Sequence, residues 1–280
     1  MKGQRSIFLF SWLCFGFAFL YVPILIMMFF SFNRSRLATV WGGFSTQWYG
    51  ALLQNDQIIE AALLSFRIAA VSATWAVIFG TMAGFSLSRF HRFRGRVLFS
   101  GMITAPLVMP DVITGLSLLL LFVTLEGVIG WPEGRGASTI TIAHITFSMA
   151  YVAVIVQSRL STMDESLEEA AMDLGSRPLR VLFDVTLPLI APAMVSGWLL
   201  SFTLSLDDLV IASFTSGPGA NTLPMLIYSK VKLGITPDIN ALATIIIMVV
   251  TTGVVIAAIF MNRQERRRLQ DSQIAAIEKT

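Results

Sequence analysis

Three carboxylates, Asp111, Asp207 and Asp208, stand inside stretches of sequence that are otherwise almost purely apolar. A carboxylate near the centre of a membrane helix costs about 2.5–3.5 kcal/mol on insertion scales, so such groups face protein or water and serve an ion, a proton or a fixed partner. The chemistry open to them is attraction of a cation. Carboxylates spaced along a polar wall replace part of the hydration of an ammonium group without trapping it. Gly197, Ser201, Ser205, Asp208 and Ala212 recur at intervals of three or four residues, while Ser196, Thr203 and Asp207 form a second stripe about 100° away. Together the two stripes make a wet wall, and Asp111, Ser205, Asp207 and Asp208 become candidates to line a cation pathway. Two other uses compete. Arg67 lies at a depth comparable with Asp207 and Asp208, so one of these acids can neutralise it as an internal ion pair. Asp111 stands beside Pro106 and Pro110, which free backbone groups in the helix, and can satisfy donors at the kink. Three acids against one internal base leave an excess of negative charge, which favours the pathway.

The elements that must position these acids are membrane helices. Hydrophobic residues make up 55% of the 280, charged residues only 13%, and the mean hydropathy is +0.74, which excludes a soluble domain. A span needs roughly 20 apolar residues. The uncharged runs predict six transmembrane helices, at about 6–32, 61–88, 97–123, 139–158, 190–214 and 239–261, in a single transmembrane domain covering residues 1–280. Asp111 interrupts the third and Asp207/Asp208 the fifth. Fourteen Lys and Arg residues, among them Arg89, Arg92, Arg94, Arg96, Arg159 and the group Arg263–Arg268, fall on one side, against five on the other. Positive residues stay inside, so both termini are expected in the cytoplasm, and the net charge of +3 reports topology rather than nucleic-acid binding. Lys2 and Arg5 before an apolar run imitate a signal peptide, but the uncharged stretch of 28 residues exceeds the usual core of about 7 to 15, so no cleavage is expected. The single Cys14 excludes an intrachain disulfide.

The longest cytoplasmic connection, residues 159–189, changes composition abruptly. Asp164, Glu165, Glu168, Glu169 and Asp173 crowd its first half, and Leu167, Ala170, Ala171 and Leu174 follow helical spacing. Ser166 with Glu169 fits a capping box, Gly175 a helix stop, and Pro178 the start of a second short helix bearing Leu179, Leu182 and Phe183. A helix, a glycine turn and a second helix therefore lie at the membrane surface, as a solvated hairpin or as a docking element.

The stretch EAAMDLGSRPLRVLFDVTLP, Glu169 to Pro188, resembles the EAA motif of the membrane permeases of binding-protein-dependent ABC importers. Glu169, Ala170, Ala171, Gly175, Leu187 and Pro188 match in type and spacing, and Val185 replaces an isoleucine. The resemblance implies that this loop is the coupling helix that docks a separate ATP-binding subunit. Small Ala170 and Ala171 suit a groove, and Glu169 offers a carboxylate to a donor across the interface. APLVMPDVITGLSLLLLF and the segment from Ser205 to Thr244 are similar to the polyamine members of that family, in particular the second permease subunit of putrescine or spermidine importers.

The resemblance thus implies an all-α, polytopic, type I ABC importer permease in the bacterial inner membrane. Its implied partners are a second permease subunit, a paralogue by this resemblance, two cytoplasmic ATP-binding subunits and a periplasmic polyamine-binding protein, with lipid around it. The chain has no phosphate-binding loop, no catalytic triad arrangement and no clustered metal set, so it is not expected to hydrolyse ATP, to be an enzyme or to hold a cofactor. His144 reads as a hydrogen-bonded packing residue. The GxxxG pattern Gly80–Gly84 suits close helix packing. Trp48 and Tyr49, on the first external segment, belong to an aromatic belt, and Trp48 can also meet an ammonium or methylene chain of the substrate. A secondary, proton-coupled cation transporter and a membrane scaffold that recruits a cytoplasmic partner remain the alternative classes. ATP dependence, gradient dependence or absence of flux separates the three.

Overall fold

The computed structural model describes residues 2–37, 40–90, 92–234, 237–252 and 255, with side chains from Ile7 onward. The regular elements among them are helical: α1 (Lys2–Phe30), α2 (Gln47–Leu53), α3 (Asp56–Arg89), α4 (Arg96–Val108), α5 (Asp111–Ile129), α6 (Ala137–Ser161), α7 (Ser166–Asp173), α8 (Pro178–Val181), α9 (Leu187–Asp207), α10 (Val210–Thr215), α11 (Leu223–Leu233) and α12 (Pro237–Thr252). A π-turn, Leu182–Thr186, joins α8 to α9. Five stretches are long and apolar enough to cross a membrane: residues 7–30, 56–89, 111–129, 137–161 and 178–207. α4 and α12 are shorter apolar helices. Residues 253–254 and 256–261 of the expected sixth span and the basic residues Arg263–Arg268 lie outside the described residues.

The chain forms two compact units, residues 57–229 and residues 1–56 with 230–280. In the larger unit, α6 is the axis. Lipid tails are as apolar as leucine, so helices associate in a bilayer through close packing of small residues rather than through hydrophobic expulsion. α3 supplies such a face, burying Ala69, Ser72, Ala73, Ala76, Gly80, Ala83 and Gly84. A Cβ on Gly80 would lie 2.6 Å from Val152 Cβ and 2.8 Å from the Met149 carbonyl oxygen, and one on Gly84 would lie 2.7 Å from the Ala153 oxygen. The GxxxG pattern is therefore an internal seam between α3 and α6. From the other side, α9 brings Gly197 against the same Val152, whose Cγ1 would lie 3.3 Å from a Cβ on that glycine. Val156, Leu160, Ala76 and Ile190 continue this core, and α5 and α10 meet α6 through Phe122, Ile211, Ala143 and Phe147.

The structure departs from the expected spans in two places. The third is two helices, α4 and α5, separated at Met109 and Pro110, and it runs on to Ile129 rather than ending near residue 123. Proline lacks the N–H that would continue the ladder and disfavours helical backbone in the residue before it, and Met109 is indeed extended at φ −78°, ψ 136°. The fifth is one line of helix from Pro178 through the π-turn to Asp207, broken at Asp208, φ −67°, ψ 122°, and resumed as the short α10. The expected second surface helix is thus the beginning of a stretch long and apolar enough to cross a membrane. No proline explains the break at Asp208.

Since Val152 is contacted through glycines from both sides, adding a side chain at Gly80 must displace it. Gly80→Leu is expected to lower the stability of the detergent-solubilised protein by about 1–3 kcal/mol, the range for overpacked cores. Thermal unfolding should show the loss.

Candidate functional site

The second helix break is built by side chains that the sequence leaves far apart. The Asp208 carboxylate caps α10 with both oxygens, Oδ1 accepting from Ile211 N at 3.2 Å and Oδ2 from Ala212 N at 2.7 Å. Oδ2 also meets His144 Nε2 at 3.1 Å, and His144 Nδ1 lies 2.6 Å from Ser205 Oγ. Ser72 Oγ, on α3, donates to Ser205 Oγ at 3.2 Å. A carboxylate that accepts places the imidazole proton on Nε2, so Nδ1 takes the Ser205 hydroxyl proton and the chain runs Ser72, Ser205, His144, Asp208 with every member satisfied. Relative exposures are 1% for the His144 side chain, 8% for that of Asp208 and 5% for Ser205.

These placements revise the sequence reading. Serine, imidazole and carboxylate stand in the order of an acyl-transfer triad, an arrangement not expected from the sequence. Ser205, however, is sealed between α3, α6 and α9 and gives a substrate no approach, so the triplet ties helices together. The stripe Gly197, Ser201, Ser205 and Ala212 is buried packing surface, not a wet wall. The open face is the second stripe: Ser196, Thr203 and Asp207 are all exposed. Asp111 is exposed as well, on the first residue of α5. One turn on, Gly115 abuts Phe214 and Ile211 of α10, so Asp111 and Asp207 stand at the same end of the packed α5–α10 pair. Arg67 is exposed and, among the described residues, forms no ion pair with either Asp207 or Asp208. Nor does the Asp111 side chain cap α5, whose N-cap is Pro110 without a side-chain bond.

In the smaller unit, Asn33 organises the segment between α1 and α2. It is fully buried, its amide donates to the Leu37 and Val40 carbonyls, and its Oδ1 accepts from Ser35 N and Gly42 N. Its own carbonyl accepts from Trp48 Nε1 at 2.6 Å. The indole N–H of Trp48 is thereby committed, and the half-buried ring lines a cleft of about 400 Å³ with Arg36, Asn55, Lys230 and Asp238. Lys230 pairs with Asp238 at 2.9 Å.

The loop 159–189 holds a second polar assembly. α7 ends in a glycine turn in which Ser176 N donates to the Ala171 oxygen and Gly175 N to that of Met172, with Gly175 at φ +89°. The expected capping box is absent, because the helix begins at Ser166 itself. The Ser166 N–H donates instead to Asp164 Oδ1 at 3.0 Å, and that bond holds the Asp164 carboxyl below its ordinary range. Glu169, Ala170, Gly175 and Pro188 are exposed, while Ala171 and Leu187 are half-buried. No residue of α7 is buried, and Leu174 is 88% exposed. Beside it, Arg89 at the end of α3 makes a two-pronged bond to Glu168, Nε to Oε2 at 2.9 Å and Nη2 to Oε1 at 3.0 Å. In the sequence, Arg89 and Glu168 read only as charges that mark a side of the membrane and a helix surface. The signal lay in an arginine closing an apolar run opposite an acidic loop.

A family model described as "Binding-protein-dependent transport system inner membrane component" matches residues 76–270. The chain is 60% identical over 260 residues, 93% of its own length and 92% of the relative's, to the putrescine transport system permease protein PotI of Escherichia coli (strain K12). It is 42% identical over 251 residues, 90% and 92% of the two chains, to the spermidine/putrescine transport system permease protein PotC of the same strain. Among solved structures, a bacterial ABC transporter that imports the acidic polysaccharide alginate shares the fold, with a TM-score of 0.69 at 17% identity over 92% of this chain and 97% of that one.

The burial of Asp208 and the exposure of Asp207 separate their roles experimentally. Asp208→Ala strips two N–H groups and an imidazole of their acceptor, and is expected to cost about 3–5 kcal/mol and to lower membrane abundance. Asp207→Asn should leave abundance and the thermal midpoint within experimental error of the parent. Immunoblotting of membranes and thermal unfolding of the two purified variants check the contrast.

Proposed function

We propose that this chain, which belongs to the family of binding-protein-dependent transport system inner membrane components, is the permease subunit of an ATP-driven importer that carries polyamines of the putrescine and spermidine class. The observation that carries the substrate is the 60% identity, over 93% of the chain, to a permease named for putrescine. Both termini lie in the cytoplasm, and residues 1–280 act as one permease domain paired with a paralogous second permease. A periplasmic polyamine-binding protein delivers the substrate. Two ATP-binding subunits dock beneath, receiving the loop 159–189 through Glu169, Ala170, Ala171, Gly175, Leu187 and Pro188.

Exposure supports this docking assignment. α7 has no fully buried residue and presents Leu167, Met172 and Leu174 outward, which a soluble hairpin has no reason to do. Gly175 in the left-handed region lets the turn stand out sharply, where a side chain would be strained.

In the pathway, Asp111 and Asp207 are the exposed acids, at one end of the α5–α10 pair. A polyamine is a flexible chain with an ammonium at each end. Two exposed carboxylates can exchange with its hydration shell while Ser196 and Thr203 keep that face wet. Trp48 offers only its ring face, suited to an ammonium by cation–π attraction. Ser205 and Asp208 belong to the wall from behind, holding the helix break that presents Asp207.

Reconstitution of this chain with its partner permease, ATPase and binding protein is expected to give putrescine uptake that requires ATP. Uptake driven by a proton gradient in vesicles lacking the ATPase would overturn the proposal. Within the working complex, Asp111→Asn and Asp207→Asn should each reduce uptake by roughly tenfold, the worth of about one charge-assisted contact, at normal abundance. Gly175→Val should weaken ATPase association or uncouple hydrolysis from uptake, while the membrane helices still insert.

A further inference from the structure

The attachment of α7 is unusual in kind. Elsewhere in the larger unit, helices are held by small-residue seams and apolar clusters, but α7 contributes no buried residue to either. Eight residues are too few to hold a helix in water on their own, so its position depends on what grips it. The grip is the Glu168 carboxylate, whose side chain is 13% exposed. It accepts the paired Nε and Nη2 donors of Arg89, and its Oε1 also accepts from the Thr186 hydroxyl at 2.9 Å. The third Arg89 nitrogen, Nη1, reaches Glu165 Oε1 at 3.0 Å and the Leu160 carbonyl oxygen at 3.4 Å. One carboxylate and one guanidinium therefore connect the end of α3, the end of α6, the surface helix α7 and the π-turn through which the polypeptide enters α9.

We infer that Arg89, Glu168 and Thr186 form a strut that carries displacement of α7 into α3 and α9, so that α7 moves with the membrane helices rather than beside them. The proposal rests on the docking role of α7 set out above, and assigns Arg89, Glu168 and Thr186 as positioning residues for coupling. Geometry favours a mechanical role over a merely attractive one. A two-pronged guanidinium–carboxylate contact fixes angle as well as distance, whereas a single ammonium contact swivels. Its burial matters too: Arg89 is 10% exposed at the side chain, so salt screens it little, in contrast to the Arg180–Asp184 pair, at 77% and 61%. Thr186, 1% exposed, sits within the π-turn, a helix irregularity able to absorb a change of register. Through it, a pull on Glu168 reaches α9, whose far end carries the break at Asp208 and the exposed Asp207.

The test uses the complete reconstituted transporter and reads three quantities: ATPase association, ATP hydrolysis and uptake of labelled putrescine. Arg89→Gln, Glu168→Gln and the double variant are each expected to keep the ATPase bound and hydrolysing while uptake per ATP falls at least about tenfold. The double variant should be no worse than either single one, because all three break the same contact. Arg89→Lys, with charge but without the fork, should fall between Arg89→Gln and the parent. Thr186→Val removes one arm at nearly constant volume and strands no charge, so it should lower uptake per ATP several-fold at normal abundance. Unchanged uptake per ATP in Arg89→Gln, or losses that add in the double variant, would overturn the strut. Should Arg89→Gln fail to accumulate, an unchanged ratio in Thr186→Val would overturn it equally. Failure of the parent complex to bind its ATPase would instead remove the docking role on which the strut rests.

Discussion

In a bilayer, a backbone group that leaves the helical ladder has no water to turn to, so every break in a spanning helix must be supplied with partners by the protein itself. The Asp208 carboxylate answers that requirement. It accepts the first free N–H groups of α10 and is itself held by His144, so the fifth span can stop, turn and resume within the membrane. The break in the third span answers it differently, since Pro110 brings no N–H to satisfy and its carbonyl accepts from Ile113 and Thr114. Two helices are thereby interrupted at one end of the α5–α10 pair, and the exposed acids Asp111 and Asp207 stand beside the interruptions. An acid that completes a wall and an acid that faces out of it are neighbours in sequence, and they part because Asp207 is the last residue of α9 while Asp208 is already extended.

The same constraint explains why α6 is the axis. With no hydrophobic drive between helices in lipid, contact has to come from close approach, and close approach needs small residues on facing surfaces. Gly80 and Gly84 of α3 and Gly197 of α9 provide it from two sides of Val152. These seams leave α3, α6 and α9 near enough for Ser72, His144 and Ser205 to bond across them. Packing and the polar chain are one arrangement, because neither set of contacts reaches without the other.

Much of this was legible in the sequence, for physical reasons. Membrane insertion is a property of composition over some twenty residues, and the long apolar runs and the proline at the third span show it directly. A helix stop at Gly175 and a helix start at Pro178 are likewise local, and both stand in the structure. Two things were not local. Spacing along α9 groups Gly197, Ser201 and Ser205 on one stripe, but whether a stripe of small polar residues faces water or another helix depends on the partner surface, here Val152 and Ser72. Similarly, Arg67 matches Asp208 in depth, yet the imidazole that meets Asp208 lies 64 residues away on α6. Depth along the membrane is readable from a sequence, whereas azimuth around the bundle is set by packing.

The two polar assemblies also differ in what they can do, because their surroundings differ. In the membrane, the chain from Ser72 to Asp208 is enclosed and each donor has its acceptor, so any relative movement of α3, α6 and α9 must break bonds that nothing nearby replaces. Such a network resists change and makes these helices move as one body. At the end of α3, Arg89, Glu168 and Thr186 hold α7 by directed bonds, with Glu165 beside them half exposed. Under the proposed coupling, that contact transmits force through its geometry, because a buried two-pronged bond fixes angle as well as distance. A rigid interior reached through a directional joint is the combination a transport subunit needs if a motion imposed from outside the membrane is to arrive inside it.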